Sequence, residues 1–313
     1  MTAAVRFGLC VQQDLTDPHE LRSIAQTAEQ LGYDSLWVYD HFHNFPSSDT
    51  NPILEPWTLM SILAASTSTI RLGSLVLCNG FRPPALLAKM AATLDVLSGG
   101  RLELGYGAGW HPEEFAAYGY DFPPMATRIR QMEEGLTVMK ALWTEPRASW
   151  KGAFYHLHDA ICEPKPLQRP HPPITIGGGG EQLLLRAVAR HADTWNYFST
   201  PLPEYERKAA VLADHCRAIG RVPQTVGRSL LIPTVTADAE KDVRDQLEGA
   251  KARGAIWALS GQFVQGTPDI VVPRFRDYVR RSVSSFMIRL PNGRDQKQME
   301  YVARHVVREL QED

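Results

Sequence analysis

The chain is predicted to fold as a (β/α)8 barrel with insertions, a closed ring of parallel strands with helices outside. Three observations point there. Apolar strand-like segments alternate with amphipathic helical ones from end to end, the pattern of parallel strands joined by helices. Eight such units can be counted in the sequence, enough to close a ring. The chain has 313 residues, 44% of them apolar, which suits one large barrel domain over residues 1–313. A doubly wound open sheet is the competing architecture.

The elements follow in order. Val5 to Val11 reads as a buried strand. Asp17-Pro18-His19-Glu20 opens a helix, with an N-cap candidate, proline at the first helical position and an acid three residues on. Leu21, Ile24, Ala25, Ala28 and Leu31 share its apolar face, and Gly32 ends it. Ser35 to Tyr39 is the second strand. A helix from about Pro56 to Thr67 leads to a third strand, Leu72 to Cys78. Pro83-Pro84 opens a helix that Ser98-Gly99-Gly100 closes.

Arg101 to Leu104 is a fourth, alternating strand. It runs into Gly105, Gly107 and Gly109, read as a turn at the strand end. A helix carrying Ile129, Met132, Leu136 and Met139 comes next. Ile174 to Ile176 is a short fifth strand entering Gly177-Gly178-Gly179-Gly180, with a helix expected from Glu181 to Arg190. Strands Thr194 to Phe198, Arg228 to Thr234 and Ser285 to Leu290 complete the eight, each followed or preceded by helix. Two stretches exceed ordinary loop length, about 143–173 and 255–267, and read as insertions.

Composition narrows the function classes. The net charge is −2 with 22% charged residues, which argues against a nucleic-acid partner needing a basic face. No apolar run approaches the roughly 20 residues that span a bilayer. The first residues lack the long apolar stretch of a secretory signal. Cys10, Cys78, Cys162 and Cys216 are scattered without a C-x-x-C pair, so a reducing, cytoplasmic setting is expected. His41-Phe42-His43 and His156-Leu157-His158 lack accompanying ligands at a metal-site spacing, so no metal is expected. No G-x-S-x-G is present, and hydrolytic nucleophilic chemistry has no support.

In a barrel the residues just beyond each strand's C-terminal end form the site. Here they include Asp40-His41 after strand two, Cys78-Asn79 after strand three, Gly107-Ala108-Gly109-Trp110-His111 after strand four, and Gly177 to Gly180 after strand five. Glycine lets backbone approach a flat ligand or take positive φ without strain. The run G-Y-G-A-G departs from the dinucleotide fingerprint, because Trp110 and His111 follow it. Four consecutive glycines before a helix offer bare N–H groups to a phosphate, and a tight turn is the plainer reading. His41 can give or take a proton near neutral pH. Asp40 is a candidate to orient its ring or to bind ligand. A large planar ligand carrying a phosphate suits this mouth.

These residues carry a resemblance. Asp40-His41, then Leu75-Val76-Leu77-Cys78-Asn79-Gly80-Phe81-Arg82-Pro83-Pro84, then the segment Leu87 to Arg101, resemble the bacterial luciferase-like flavin superfamily. Gly107-Ala108-Gly109-Trp110, Ala117 to Pro123, Pro164-Lys165-Pro166 and Ile176 to Gly180 add to it. Within that superfamily the chain looks like the branch using deazaflavin coenzyme F420.

The resemblance implies a (β/α)8 barrel, often dimeric, so a homodimer is expected. It implies a flavin or deazaflavin ring across the barrel mouth, backed by a non-proline cis peptide near Leu75–Val76. Leu75, Val76, Cys78, Asn79, Gly107, Ala108, Gly109 and Gly177 to Gly180 are the implied cofactor-binding set. His41, Asp40 and Trp110 are the implied catalytic set. One departure stands out: sugar-phosphate and alcohol dehydrogenases of this kind carry a glutamate where this chain has Trp110. A tryptophan has one N–H to donate and no acid proton to deliver, so an aromatic lid is expected there, with His41 or His111 handling any proton. The implied activity is hydride transfer between F420 and a small organic substrate. An FMNH2-dependent two-component monooxygenase and a non-catalytic cofactor-binding protein are the alternatives, with FMN the alternative cofactor.

Overall fold

The computed structural model describes residues 4–11, 13, 14, 17–43, 52–253, 255 and 262–311. Eight strands close into a parallel barrel. In chain order they are β1 (Arg6–Cys10), β2 (Ser35–Val38), β3 (Arg71–Ser74) continued by β4 (Leu77–Cys78), β5 (Leu102–Gly107), β8 (Ile174–Gly177), β9 (Thr194–Phe198), β10 (Gly227–Thr236) and β12 (Ser285–Arg289). Each pairs in parallel with its neighbours, and β10 joins both β9 and β12 to shut the ring. The open sheet is thereby excluded.

The helices form where their caps and apolar faces place them. Asp17 accepts from the His19 amide at 2.9 Å to start α1 (Pro18–Gln30), which buries Leu21, Ile24, Ala25 and Ala28. Glu55 caps α2 (Pro56–Ser66) through the Trp57 and Thr58 amides. α3 (Pro84–Leu97) and α5 (Met125–Thr144) pack side by side over β5. One end of the barrel is plugged: Glu103 accepts from Arg71 Nε at 2.6 Å and Arg6 Nη1 at 3.1 Å. Above that ion cluster the fully buried Trp37 fills the interior. The other end, where the strands finish, is open.

Two expectations are corrected. The strand expected to stop at Leu104 runs on to Gly107, so Gly105 and Gly107 are strand residues; only Gly109 takes a left-handed φ, of 76°. The helix expected from Glu181 begins at Leu184 as α6 (Leu184–His191). The Glu181 carbonyl is taken by His215 Nε2 at 2.7 Å, while the Leu185 amide goes to Gly180.

The stretch 143–173 holds an antiparallel hairpin, β6 (Ala148–Lys151) with β7 (His156–Ala160). Glu134 on α5 ties its turn by accepting from the amides of Ala153, Phe154 and Tyr155. The C-terminal helix is interrupted by a π turn over Ala303–Val307. Within 255–267, β11 (Val264–Gly266) extends the outer edge of β10. Of the segments 47–55 and 255–267, where specificity over the pocket is expected, residues 47–51 and 256–261 lie outside the described residues. Among the described residues no helix is long and apolar enough to cross a membrane.

Candidate functional site

The break between β3 and β4 shapes the barrel mouth. The Leu75–Val76 peptide is cis, at the bond expected from the sequence. The Leu75 amide still reaches the Val38 carbonyl at 2.7 Å, and pairing with β5 resumes at Leu77. Val76 therefore projects toward the neighbouring strands, which meet it with glycine. A methyl group on Gly107 would lie 2.6 Å from a Val76 methyl, and one on Gly177 would lie 3.2 Å away. A methyl on Gly105 would fall 1.7 Å from the Ser74 carbonyl oxygen. The two glycine segments thus sit on adjacent strands at the same end, on either side of one bulge.

A cavity of about 410 Å³ opens there, within the range of small-molecule sites. Leu75, Val76 and Cys78 line one side of it, Gly107 to Gly109 the next, and Gly177 to Gly180 the far side. His41 and Trp110 stand at its edge, and Asp40 reaches it from below. Asn79 does not line it. Its amide oxygen accepts from Tyr106 at 2.5 Å and from Tyr155 at 3.2 Å, which ties the end of strand three to β5 and to the hairpin turn. Phe81, Phe115, Met125, Ile129, Leu184 and Leu231 supply apolar walls outside the implied cofactor-binding set.

Asp40 is corrected as a ring-orienting residue. Its fully buried carboxylate accepts from the Cys78 amide at 2.7 Å and from Arg82 at 2.8 and 3.0 Å. Burial pushes the carboxyl up from its ordinary value, and the bidentate guanidinium and the amide oppose that. Arg82 also pairs with Glu55, joining α2 to the clamp. Asp40 thereby pins the chain just past the cis bond.

The carboxylate that meets His41 is Glu114, on α4 (Pro112–Ala117). Its Oε2 lies 2.9 Å from His41 Nδ1, and its Oε1 accepts from the Phe42 amide. Burial works against the Glu114 charge, but the His41 and Phe42 hydrogen bonds outweigh it and lower its pKa. His111 precedes α4 and Pro112, Glu113 and Glu114 form its first turn. The same turn also carries this acid inward.

Trp110 is 55% exposed. It stacks on His111 at 5.1 Å between centroids and meets His41 edge-on at 5.7 Å. Burial pushes the pKa of His111 down. Cys78 is no nucleophile, because burial pushes its thiol up to about 12.

The tetraglycine segment is braced from behind. Gly178 has φ 122°, its amide donates to Asn196 at 3.0 Å, and its carbonyl accepts from Trp195 Nε1 at 2.7 Å. Lys208 Nζ donates to the Gly179 carbonyl at 2.8 Å. Glycine at Gly179 leaves room for the Tyr197 ring, which a methyl there would approach to 2.4 Å. Among the described residues no group of three or more His, Cys, Asp and Glu side chains is placed to hold a metal ion.

A profile of the luciferase-like monooxygenase family matches residues 4–267. The chain belongs to that family. An F420-dependent glucose-6-phosphate dehydrogenase from Microbacterium testaceum is 27% identical over 325 aligned positions, covering 95% of each chain. An FMNH2-dependent dimethylsulfone monooxygenase from Pseudomonas putida is 34% identical over 178 positions, covering 57% of this chain and 47% of that protein. A solved F420-dependent secondary alcohol dehydrogenase, bound to an F420–acetone adduct, superposes with a TM-score of 0.83 at 18% identity, covering 97% and 98% of the two chains. This luciferase-like protein is an enzyme, and relatives using F420 and relatives using FMNH2 both resemble it.

Proposed function

We propose that this enzyme transfers hydride between coenzyme F420 and a small organic substrate at the barrel mouth. The observation that carries the reading is the cavity itself: apolar walls, a bulge backed by glycine on two strands, and the imidazoles of His41 and His111 in its lining. The residues fit a flat ring with an anionic arm. Leu75, Val76, Ala108 and Gly109 would bear on the ring, and Gly177 to Gly180 would hold the phosphate. F420, when bound, supplies or takes up a two-electron hydride. The chain's part is to hold the two partners together, to exclude water with Phe81, Phe115 and Ile129, and to handle the substrate's proton at His41. Trp110 has no acid proton to give, and its place at the rim suits a lid.

The F420 reading also draws on the dehydrogenase relative that aligns along 95% of both chains. The reading with reduced FMN and oxygen draws on the monooxygenase relative, which aligns over 57% of this chain. Oxygen separates them. Under the F420 reading, turnover with a panel of small alcohols and activated alkenes proceeds unchanged in an anaerobic chamber. Turnover that requires oxygen and reduced FMN would replace it with the monooxygenase reading.

A further inference from the structure

We propose that Glu114 is a positioning residue that sets the tautomer of His41, holding its proton on Nδ1 and leaving the Nε2 lone pair to the cavity. The inference takes from the preceding reading only that His41 handles the substrate's proton.

The argument starts at Phe42. Its backbone N–H can only donate, so Glu114 Oε1, which receives it, must accept. Glu114 is 1% exposed with its pKa lowered, so it is ionised near neutral pH and both oxygens accept. Oε2 lies 2.9 Å from His41 Nδ1. A neutral ring satisfies that contact only with its hydrogen on Nδ1. Among the described residues no other side chain hydrogen-bonds the His41 ring. Trp110, His111 and Tyr39 stand around it with centroids at 5.7, 6.4 and 6.0 Å. An unrestrained histidine in water favours the other form, with hydrogen on Nε2. Glu114 therefore reverses the ring's own preference. It presents an acceptor to the cavity, suited to taking the proton of a substrate hydroxyl while the bonding pair stays on oxygen.

Glutamine at 114 tests this without changing shape. If its oxygen stays on the Phe42 N–H, its NH2 faces Nδ1, which must then accept, and the ring hydrogen moves to Nε2. If the amide turns round, its NH2 opposes the Phe42 N–H and two donors collide.

The experiment is imidazole 15N NMR on the full chain without cofactor, at a pH where the ring is neutral, with His41 assigned by His41→Gln. Wild type is expected to show hydrogen on Nδ1. Glu114→Gln and the apolar Glu114→Met are expected to show it on Nε2, and Glu113→Gln to match wild type. With a turned-over substrate, Glu114→Gln should lose about 10²–10⁴ in kcat with little change in KM. Hydrogen on Nε2 in wild type overturns the proposal even if no variant folds, and so does an unchanged tautomer in Glu114→Gln. The tautomer is read with the cofactor absent, so failure to bind F420 would sink the functional reading and leave this one standing.

Discussion

The two glycine segments at the barrel mouth look alike in sequence and differ in what they make room for. Gly105 and Gly107 lie inside β5 and are pressed by the chain's own bulge: the Ser74 carbonyl on one, the Val76 side chain on the other. Gly178 to Gly180 lie at and beyond the end of β8 and face the side chains of Leu184 and Tyr197. The first segment is part of the scaffold. The second is a loop held in shape by Lys208, Trp195 and Asn196 and open to the cavity. A run of glycines thus shows where backbone comes close to something, and the neighbouring strand decides whether that something is protein or ligand.

Substitutions can break or sharpen the contrast. Gly105→Ala should have the largest effect, because a methyl 1.7 Å from a backbone carbonyl has nowhere to go. A loss of more than about 5 kcal/mol is expected, seen as insoluble or unfolded protein by circular dichroism; a folded Gly105→Ala would remove the scaffold role. Arg82→Met comes next. It leaves the Asp40 carboxylate buried with the Cys78 amide alone, for a loss of about 3–5 kcal/mol in urea unfolding.

Gly178→Ala should cost less, about 1–3 kcal/mol, from its φ of 122° and the nearby Leu184 side chain. It should also weaken cofactor binding more than it weakens the fold. Gly180→Ala is the smallest. Its methyl would lie an ordinary 3.5 Å from Leu184 Cβ, and thermal unfolding should move by less than about 0.5 kcal/mol. A Gly180→Ala as damaging as Gly105→Ala would erase the distinction between the two segments.

The barrel was legible because alternation of strand and helix is a local signal. Asp17, Pro56 and Pro84 mark helix starts, and short apolar runs mark the strands between. The cis bond and the cavity lining came from the family resemblance, and Asn79 is the implied lining residue that the structure turns away.

What escaped the sequence was long-range. Ala148–Lys151 and His156–Ala160 have few β-branched residues, and their pairing depends on Glu134, which sits on a helix. Arg128, a charged residue one position before Ile129, is buried with its guanidinium 3.7 Å over the Phe122 ring. Glu114 and not Asp40 meets His41, although adjacency along the chain put Asp40 beside it. Only the fold brings α4 back over β2 and Arg82 under Asp40.

The central claim is that the glycine-lined mouth seats a deazaflavin. Parallel titrations of the full-length wild type with F420 and with FMN, followed by fluorescence and repeated on Gly178→Val, test it most directly. Saturable F420 binding, tighter than FMN and lost in Gly178→Val, is the predicted result; FMN binding without F420 binding, or F420 binding indifferent to Gly178→Val, would contradict it.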